Sequence, residues 1–467
     1  MRRRLLKPFG AAVAAIALVA GASALQSANR LQPCASSEIT AAILRTAPQA
    51  PSPDRLTIVL VGDAGFNPNG AAVAPEGFRD KNKTLVSFAD SLSGVARDID
   101  GDFAFINLET VITDRNDLAP DSKGQNAPYN FKSHPLALKL LIDRGFNLFS
   151  LANNHSMDYG ANGAEETLYH MAVAAAERAI AYAGIGSNFE EATRPGCLEI
   201  GGTKIAFGAT GIITGQRDEH RAGENKPGQA GYRNRGDFEL VVNRLANFPA
   251  DYRILSIHYG LEGRVVPDKR QLDEWRGFAA RDKGINLIVG HHPHVAQGVE
   301  LVGNSLVFYG LGNFMHPGTA EMTRFGICRD YGLMAKVHLA RLDGAWRVAA
   351  VEAIPLTKTH VRPEHFSPQD STRRIYALNY LSAQLGDGAT SEGVRFTPRQ
   401  DGSGIYCAPG AETLGGKLTA LCTGWRPAPA APKKLARQLA SACADKPFYG
   451  VDKKVRESTP SWGFGRR

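Results

Sequence analysis

The chain has 467 residues, of which 43% are hydrophobic and 21% are charged, and this composition argues against global disorder. The length allows at least one large core and as many as two or three domains. The formal charge of +8 lies at the ends of the chain, since residues 25–426 sum to about −2, which argues against a nucleic-acid-binding core.

The first predicted element is a secretory signal in residues 1–24. A basic start, MRRRLLK, precedes an apolar run, and the tripeptide ASA at residues 22–24 has the small side chains of a cleavage site. An uncleaved anchor is the alternative, because the apolar run over residues 8–25 approaches the roughly 18 residues that span a bilayer. We therefore expect an exported protein, either periplasmic or membrane-anchored and facing outward. Residues 25–55 are polar and contain several prolines, which predicts a linker.

Residues 56–360 alternate short apolar runs with segments of helical spacing, and this alternation predicts an α/β domain. The predicted strands are LTIVLVGD, DFAFINLET, FNLFSLANNH, TKIAFGATGI, YRILSIHYG, INLIVGHHPH and SLVFYGLGNF. Helical spacing occurs in KTLVSFADSLSGVARDI, HPLALKLLIDRG, FELVVNRLANF and RQLDEWRGFAARDKG, and in a long segment from about residue 163 to 183. The stretch LMAKVHLARLDGAWRVAAVEAI predicts an antiparallel hairpin that turns at Asp343-Gly344.

The last predicted part is a C-terminal extension over residues 361–467. The chain has six cysteines, an even number, and in an exported protein these make disulfides plausible, although their connectivity cannot be read from sequence. Three of the six follow residue 400, which favours a cross-linked extension. The tail from residue 427 is basic, so it is either a solvated segment or a docking surface for an anionic polymer or lipid headgroups.

Polar residues stand at the carboxyl ends of successive predicted strands, which is the edge where open α/β sheets bind ligands. They are Asp63, Glu109, Asn154, His155, His258, His291, His292 and His294. Taken singly, Asp63 could cap a helix and Glu109 could be a solvated strand end. The run GHHPHV is harder to explain structurally, because Pro293 favours an extended His292 and three imidazoles within four residues suit a metal.

The donor types narrow the choice of metal. Carboxylates, an amide and imidazoles without thiolate suit Mn²⁺, Fe or Zn²⁺ in a site that is not a structural zinc. Two carboxylates and several imidazoles can hold two ions, and paired ions roughly 3.5–4 Å apart stabilise both oxygens of an in-line phosphoryl displacement. We therefore predict divalent metal ions, with two ions favoured.

Six motifs in order carry a family resemblance: VGDAGF, INLET, SLANNHSMDYG, SIHYGLE, GHHPHVAQGVE and YGLGNF. Over roughly residues 56–356 the chain resembles the CapA family of poly-γ-glutamate capsule biosynthesis proteins, which is similar to the calcineurin-like metallophosphoesterases. The resemblance implies an α/β fold of metallophosphoesterase type, a four-layer α-β-β-α sandwich with a metal site at the strand ends.

The same resemblance implies roles for individual residues. The implied metal ligands are Asp63, Glu109, Asn154, His258, His291, His292 and His294. Asp63 would bind the first metal, Glu109 would bridge both, and Asn154 and His258 would bind the second. His155 would be the general acid, and Glu262 would orient or complete the site.

Two departures bear on this reading. Metallophosphoesterases usually begin with Asp-x-His, but Ala64 and Gly65 follow Asp63 here, so one imidazole is missing. They also usually have Asp where Glu109 stands.

The function implied by the resemblance is capsule or envelope polymer biosynthesis by an exported metal-dependent hydrolase or phosphoesterase, with a metal-bound hydroxide as nucleophile and an anionic polymer or phosphoester as substrate. One alternative is a non-catalytic component of a synthesis or export assembly that binds an anionic chain. Another is a structural envelope protein with a vestigial site. The missing imidazole favours these alternatives, whereas the Asn154-His155 pair favours the hydrolase.

Overall fold

The computed structural model describes residues 34–36, 54–213, 219–280, 284–319 and 321–445. The predicted signal, most of the predicted linker and the last part of the basic tail lie outside these residues. Within them, no helix combines the length and the apolar character needed to cross a bilayer.

Two large sheets dominate the fold, and their strands are numbered here along the chain. The larger sheet has the order β23 (Thr397–Pro398), β24 (Gly404–Cys407), β20 (Ala345–Thr357), β19 (Gly332–Leu342), β2 (Arg55–Ala64), β5 (Phe103–Leu108), β8 (Leu148–Ser150) and β9 (Ala181–Ala183). Two short strands join it, β18 (Asn313–Met315) beside β2 and β21 (Glu364–His365) beside β20.

The smaller sheet has the order β1 (Ala35–Ser36), β11 (Gly196–Ile200), β12 (Thr203–Gly211), β14 (Tyr252–His258), β15 (Leu287–His291), β17 (Ser305–Phe308), β16 (Val299–Val302) and β22 (Ser391–Gly393). Three strand pairs lie outside both sheets: β3 (Phe78–Arg79) with β4 (Leu85–Val86), β6 (Val111–Ile112) with β7 (Lys132–Ser133), and β10 (Ile185–Gly186) with β13 (Gly228–Gln229).

The α-helices of the described residues are α1 (Phe88–Ser91), α2 (Pro135–Asp143), α3 (Gly160–Glu177), α4 (Phe189–Ala192), α5 (Arg235–Asn247), α6 (Lys269–Ala279), α7 (Pro368–Ser382), α8 (Gly416–Cys422) and α9 (Lys433–Ala442). Short 3₁₀ turns cover Met322–Phe325 and Ala411–Thr413. Helices α2, α5 and α6 match predicted helical segments, and α2 ends just before Gly145, whose φ of +105° suits only glycine well.

Three buried clusters show how these layers pack. One joins side chains of the larger sheet, such as Phe105, to side chains of the smaller sheet, such as Phe207. A second packs the other face of the larger sheet against residues of helices α1 to α3, and a third packs the other face of the smaller sheet against α5 and α6, including the fully buried Trp275. The α/β class is therefore confirmed. The four-layer arrangement stays a prediction. It requires one sheet–sheet contact and two helix–sheet contacts, and the three clusters are contacts of these kinds.

Most predicted strands are present, but two helical predictions were wrong in extent. In the segment KTLVSFADSLSGVARDI only Phe88–Ser91 is helical, and a Cβ on Gly94 would lie 2.6 Å from the carbonyl oxygen of Pro363, so the chain turns where another segment approaches it. The long helix predicted to reach about residue 183 ends at Glu177, because Ala181–Ala183 pair with β8 as an additional strand. Tertiary contacts thus override local spacing at both places.

Three disulfides join all six cysteines: Cys34–Cys197, Cys328–Cys443 and Cys407–Cys422. Residues that follow position 360 return to both sheets, since β22 extends the smaller sheet while β23 and β24 extend the larger. The segment from residue 361 to 445 thus packs with the rest of the fold. The proposed domain boundary at residue 360 stays a prediction.

An ion pair between the buried Glu352 and the partly exposed Arg399 links the C-terminal segment to the larger sheet. Glu352 on β20 accepts a hydrogen bond from His338 (2.8 Å) and one from Arg399 (2.9 Å). Burial opposes ionisation of Glu352, but the hydrogen bond and charge of His338, with the charge of Lys417, lower the pKa of this carboxyl from 4.5 to about 2. Stability from this carboxylate is therefore complete above about pH 4.5 and is lost as the pH falls toward 2.

Glu352→Gln is expected to lower the free energy of unfolding by about 2–3 kcal/mol at pH 7 and by much less at pH 2.5. The measurement is urea unfolding of metal-stripped wild type and variant at both pH values. Asp273→Asn, which removes an exposed partner of Lys269 on α6, is the control and should change little at either pH. An equal loss for Glu352→Gln at both pH values would contradict the assigned pKa shift.

Candidate metal centre

The two sheets direct the ends of several parallel strands toward one place. Strands β2, β5 and β8 are parallel in the larger sheet, as are β14 and β15 in the smaller sheet. Asp63 pairs with Asn107 in the first set, and His258 pairs with His291 in the second. Side chains at these carboxyl ends meet in a buried cluster, as expected for an α/β ligand site.

Asp63 lies at the centre of the cluster and is fully buried. Its Oδ1 lies 3.1 Å from Nδ1 of His291 and accepts a hydrogen bond of 2.8 Å from the Asn107 amide. Its Oδ2 lies 3.3 Å from Nδ1 of His294 and accepts a hydrogen bond of 3.2 Å from the backbone N–H of His292. The first predicted ligand therefore contacts every histidine of the GHHPH run.

Glu109 lies among the histidines of the cluster, and its predicted role as a bridging ligand stays a prediction. Its Oε1 lies 3.4 Å from Nε2 of His258, and its Oε2 lies 3.9 Å from Nδ1 of His294 and 3.5 Å from Nε2 of His316. Both carboxylate oxygens are buried without a hydrogen-bond partner among the described residues. Two unsatisfied carboxylate oxygens are costly to bury unless a cation or donor meets them.

The predicted second-metal ligands also converge. Nε2 of His258 donates to Oδ1 of Asn154 at 2.6 Å, and the same nitrogen lies 3.1 Å from Nδ1 of His292. Groups with metal-ligand spacing include Asp63 with Glu109 and His258, and Glu109 with His292 and His294. The structure thus brings all seven predicted ligands into one cluster, and their roles as ligands stay predictions.

The backbone of the GHHPH run differs from the extended conformation that Pro293 predicted. His292 has φ of +93° and His294 has φ of +57°, which are uncommon for residues with a Cβ. Such conformations cost of order 1–3 kcal/mol each and persist where surrounding contacts impose them. Here the turn lets the His292 N–H reach Asp63 and lets Nδ1 of His294 donate to Asn313 at 2.9 Å.

The electrostatics of the cluster favour charged carboxylates. Burial opposes ionisation of Asp63 and Glu109, yet the neighbouring histidines outweigh this and hold both pKa values below their usual range. Burial also disfavours a charged His294, but the negative charges of Glu109 and Asp63 raise the pKa of His294 to about 10. Burial lowers the pKa of His291 and His292, which favours the neutral imidazoles that bind metals.

His155 lies at the edge of this cluster. Its Nε2 is 3.9 Å from Oε1 of Glu109, while its Nδ1 is 2.7 Å from Oδ2 of Asp158 and 3.2 Å from Nζ of Lys123. Lys123 also forms a buried ion pair with Asp158. The ring packs on Phe131 with centroids 4.3 Å apart. His155 is therefore positioned from its far side and presents one nitrogen to the cluster.

Glu262 lies close enough to the cluster to interact electrostatically with it. Burial raises the pKa of this carboxyl, the charge of His294 opposes the rise, and the charge of Glu109 adds to it. A raised pKa beside a metal-competent cluster is compatible with proton transfer. The predicted role of Glu262 stays a prediction.

Four residues of the site were missed as candidates: Asn107, Asn313, Lys123 and His316. Asn107 and Asn313 contact Asp63 and His294 through hydrogen bonds, and Lys123 holds the far side of His155. His316 follows the YGLGNF motif by two residues, so the rule that polar residues follow strands could have found it. Lys123 lies in a loop with no strand pattern, and no sequence signal pointed to it.

The donor set fits divalent cations. Carboxylate and amide oxygens with imidazole nitrogens suit Mn²⁺, Fe or Zn²⁺. Both oxygens of Glu109 and both ring nitrogens of His291 and His316 are buried and lack hydrogen-bond partners within the described ranges, and ligation would satisfy them. The fold and this donor set define the class: an α/β protein with a candidate metal centre between its two sheets.

The family follows from sequence comparison. The chain belongs to the bacterial capsule synthesis protein family PGA_cap, whose sequence model matches residues 57–317. It is 30% identical over 291 residues to the PGA biosynthesis protein CapA of Bacillus subtilis, a match that covers 62% of this chain and 71% of that protein. It is 32% identical over 247 residues to the capsule biosynthesis protein CapA of Bacillus anthracis, covering 51% and 54% respectively. The predicted family membership is confirmed.

Among solved structures, the calcineurin-like phosphoesterase YfkN of Bacillus subtilis is 13% identical, and the match covers 70% of this chain and 97% of that chain with a TM-score of 0.37. The α/β assignment given above depends on the sheets and buried clusters of this chain and not on that similarity.

Proposed function

We propose that this protein is an exported metal-dependent hydrolase of the phosphoesterase type that acts in the biosynthesis of a capsule or envelope polymer. One observation carries the proposal. Glu109 is buried among Asp63 and the histidines of the cluster, and both of its carboxylate oxygens lack a hydrogen-bond partner among the described residues, an arrangement that a bound metal ion would satisfy. Membership of the capsule synthesis family and the CapA relatives support the polymer context.

Divalent ions held by Asp63, Glu109, Asn154 and the cluster histidines would neutralise charge on a phosphoryl oxygen and make water a better nucleophile. The residues of the chain supply the rest. Attack of water on phosphorus forms a new P–O bond and breaks the bond to the leaving oxygen, which needs a proton. His155 faces the cluster through Nε2 and is placed to take the proton that the attacking water loses and to pass it to the leaving oxygen.

Export is supported by the N-terminal signal pattern and by three disulfides, which persist in oxidising compartments. In such a compartment the available substrates are envelope phosphoesters and anionic polymers. This location would offer two kinds of partner. One is an assembly for polymer synthesis or export, and the other is a membrane surface that contacts the basic tail.

The test is turnover of a chromogenic phosphodiester by the purified chain with added Mn²⁺. We expect product release that depends on Mn²⁺, is abolished by EDTA, and is absent from Asp63→Asn. Binding of a poly-γ-glutamate chain is measured in parallel on both proteins. Retained polymer binding with no turnover under any of Mn²⁺, Fe²⁺ or Zn²⁺ would overturn the hydrolase and favour the non-catalytic binding component.

A further inference from the structure

We infer that the imidazole of His316 replaces the one that is missing from the Asp-x-His pattern after Asp63, and that it is a ligand of the metal centre. The inference rests on the proposed function, because it assigns a further ligand to the same site. It concerns a residue that directly follows a different strand, some 250 positions away along the chain.

Strand pairing brings His316 beside the position where the pattern expects a histidine. Strand β18 runs parallel to β2, with Asn313 paired to Asp63 and Met315 paired to Ala64. The N–H of Gly65 donates to the carbonyl oxygen of Met315 at 2.9 Å. The residue that follows Met315 therefore lies next to Gly65.

The direction of a side chain at residue 65 makes the replacement specific. A Cβ built on Gly65 would lie 3.6 Å from Cε1 of His316, in ordinary van der Waals contact. A side chain at residue 65 would thus point at the space that the His316 ring occupies. The glycine leaves that space free, and the imidazole enters it from β18.

The His316 ring has an environment that suits a metal ligand. Its side chain is fully buried, neither ring nitrogen has a hydrogen-bond partner in the described part of the chain, and Nε2 lies 3.5 Å from Oε2 of Glu109. Its ring centroid is 5.9 Å from that of His294 and 5.1 Å from that of Phe131, which packs against its edge. A structural histidine in this position would leave buried polar atoms unsatisfied at a cost of about 1–3 kcal/mol.

The missing histidine at residue 65 has a different meaning once His316 is counted as a ligand. The absence of histidine at residue 65 favoured a non-catalytic or vestigial site. With His316 in that space, the number of imidazoles near Asp63 and Glu109 is restored by a different element, so the departure no longer counts against metal binding.

The experiment measures metal binding by the full-length chain without any reference to activity. EDTA-stripped protein is titrated with Mn²⁺ and, separately, with Zn²⁺, and metal per chain is counted by elemental analysis. We expect His316→Ala to bind at least one ion about tenfold or more weakly, since even outer-shell partners of metal ligands contribute 10–100-fold. His316→Gln, which keeps most of the side-chain volume, serves if the alanine variant does not fold.

The sharpest variant moves the imidazole back to residue 65. Gly65 does not have a positive φ, and its Cβ would make contacts of 3.5 Å or longer, so Gly65→His combined with His316→Ala is sterically reasonable. We expect this double variant to recover the lost affinity, whereas Gly65→Ala with His316→Ala should not. His338→Ala is the control for loss of a buried histidine outside the cluster, and it should retain full metal binding.

Unchanged Mn²⁺ and Zn²⁺ affinity in His316→Ala, with binding lost in His294→Ala, would overturn this inference and leave the proposed function intact. Wild type that binds neither ion would overturn both. Failure of Gly65→His to restore binding that His316→Ala has lost would show that the two positions are not equivalent.

Discussion

Replacing His155 with alanine is expected to lower the turnover of a chromogenic phosphodiester by about 10²–10⁴-fold while the metal content stays unchanged. The Nε2 atom of this ring is 3.9 Å from Glu109, whereas Nδ1 is held on the far side by Asp158 and Lys123. An imidazole so placed can protonate a leaving oxygen without serving as a metal ligand.

The protonation state of the His155 ring decides which of its nitrogens can donate a proton. Burial lowers the pKa of His155 to about 4, although the charge of Asp158 opposes the shift, so the ring is neutral at pH 7. The 2.7 Å contact between Nδ1 and the Asp158 carboxylate requires a proton on Nδ1, because a carboxylate only accepts, and it is shorter than the 3.2 Å contact of Nδ1 with Lys123. Nε2 is therefore unprotonated in the neutral ring, so His155 acts as the acid only after Nε2 has taken the proton that the attacking water loses, and Asp158 stabilises the imidazolium that forms.

Rate and metal content must be measured side by side on the same preparations. Asn154→Ala is the comparison, since it removes an amide oxygen from the cluster and should lose metal as well as rate. His338→Ala removes another buried histidine that is hydrogen bonded to a carboxylate, and it should affect stability alone. Metal release by His155→Ala equal to that of His294→Ala would mean that His155 is a ligand, and an unchanged rate would exclude it as the acid.

His294→Ala is expected to lose bound metal and the stabilisation that metal provides. A ligand present at 100 times its Kd stabilises the folded state by about 2.7 kcal/mol, and a variant that no longer binds gains nothing from it. His294 contacts both Asp63 and Glu109, at 3.3 and 3.9 Å, so its removal affects both predicted metal positions. We therefore expect a larger loss than for any ligand that serves one ion.

The measurement separates metal binding from the packing of the ring. Thermal or urea unfolding is recorded for wild type, His294→Ala and His338→Ala, each with Mn²⁺ and after EDTA treatment. Only wild type and His338→Ala should show a difference between the two conditions. After EDTA treatment His294→Ala is also expected to be less stable than the wild type. The pKa of His294 in the wild type is raised to about 10, so its ring is the cation between the buried carboxylates of Asp63 and Glu109, and the variant lacks this cation. A metal-dependent difference in His294→Ala as large as in wild type would show that His294 is structural.

Much of the fold could be predicted because its strands are apolar runs bounded by glycine and polar residues. The apolar runs of β2, β5 and β15 are signals carried by adjacent residues. The turn at Asp343 and Gly344, where both φ values are positive, is another such signal. Helix α1 was predicted too long, because the backbone at Pro363 of the same chain lies against Gly94 and limits the helix. No local sequence pattern indicates such a contact.

The amino-acid sequence by itself determined the family and the chemical identity of the site. Motifs such as ANNH and GHHPH place an amide and imidazoles at strand ends, and parallel strands bring their carboxyl ends to one edge, so seven candidate ligands could be named from the sequence. The types of donor are written in the residues themselves, which is why the choice of divalent metals needed no structure.

Only the tertiary structure decided which further residues complete the cluster. His316 approaches Gly65 through pairing between strands that are far apart in sequence, and Lys123 reaches His155 from a loop. The positive φ of His292 also depends on its contact with Asp63 and opposes the preference that Pro293 imposes locally. Contacts of this kind depend on the register between strands and on packing across the two sheets, and neither is encoded in the spacing of residues along one segment.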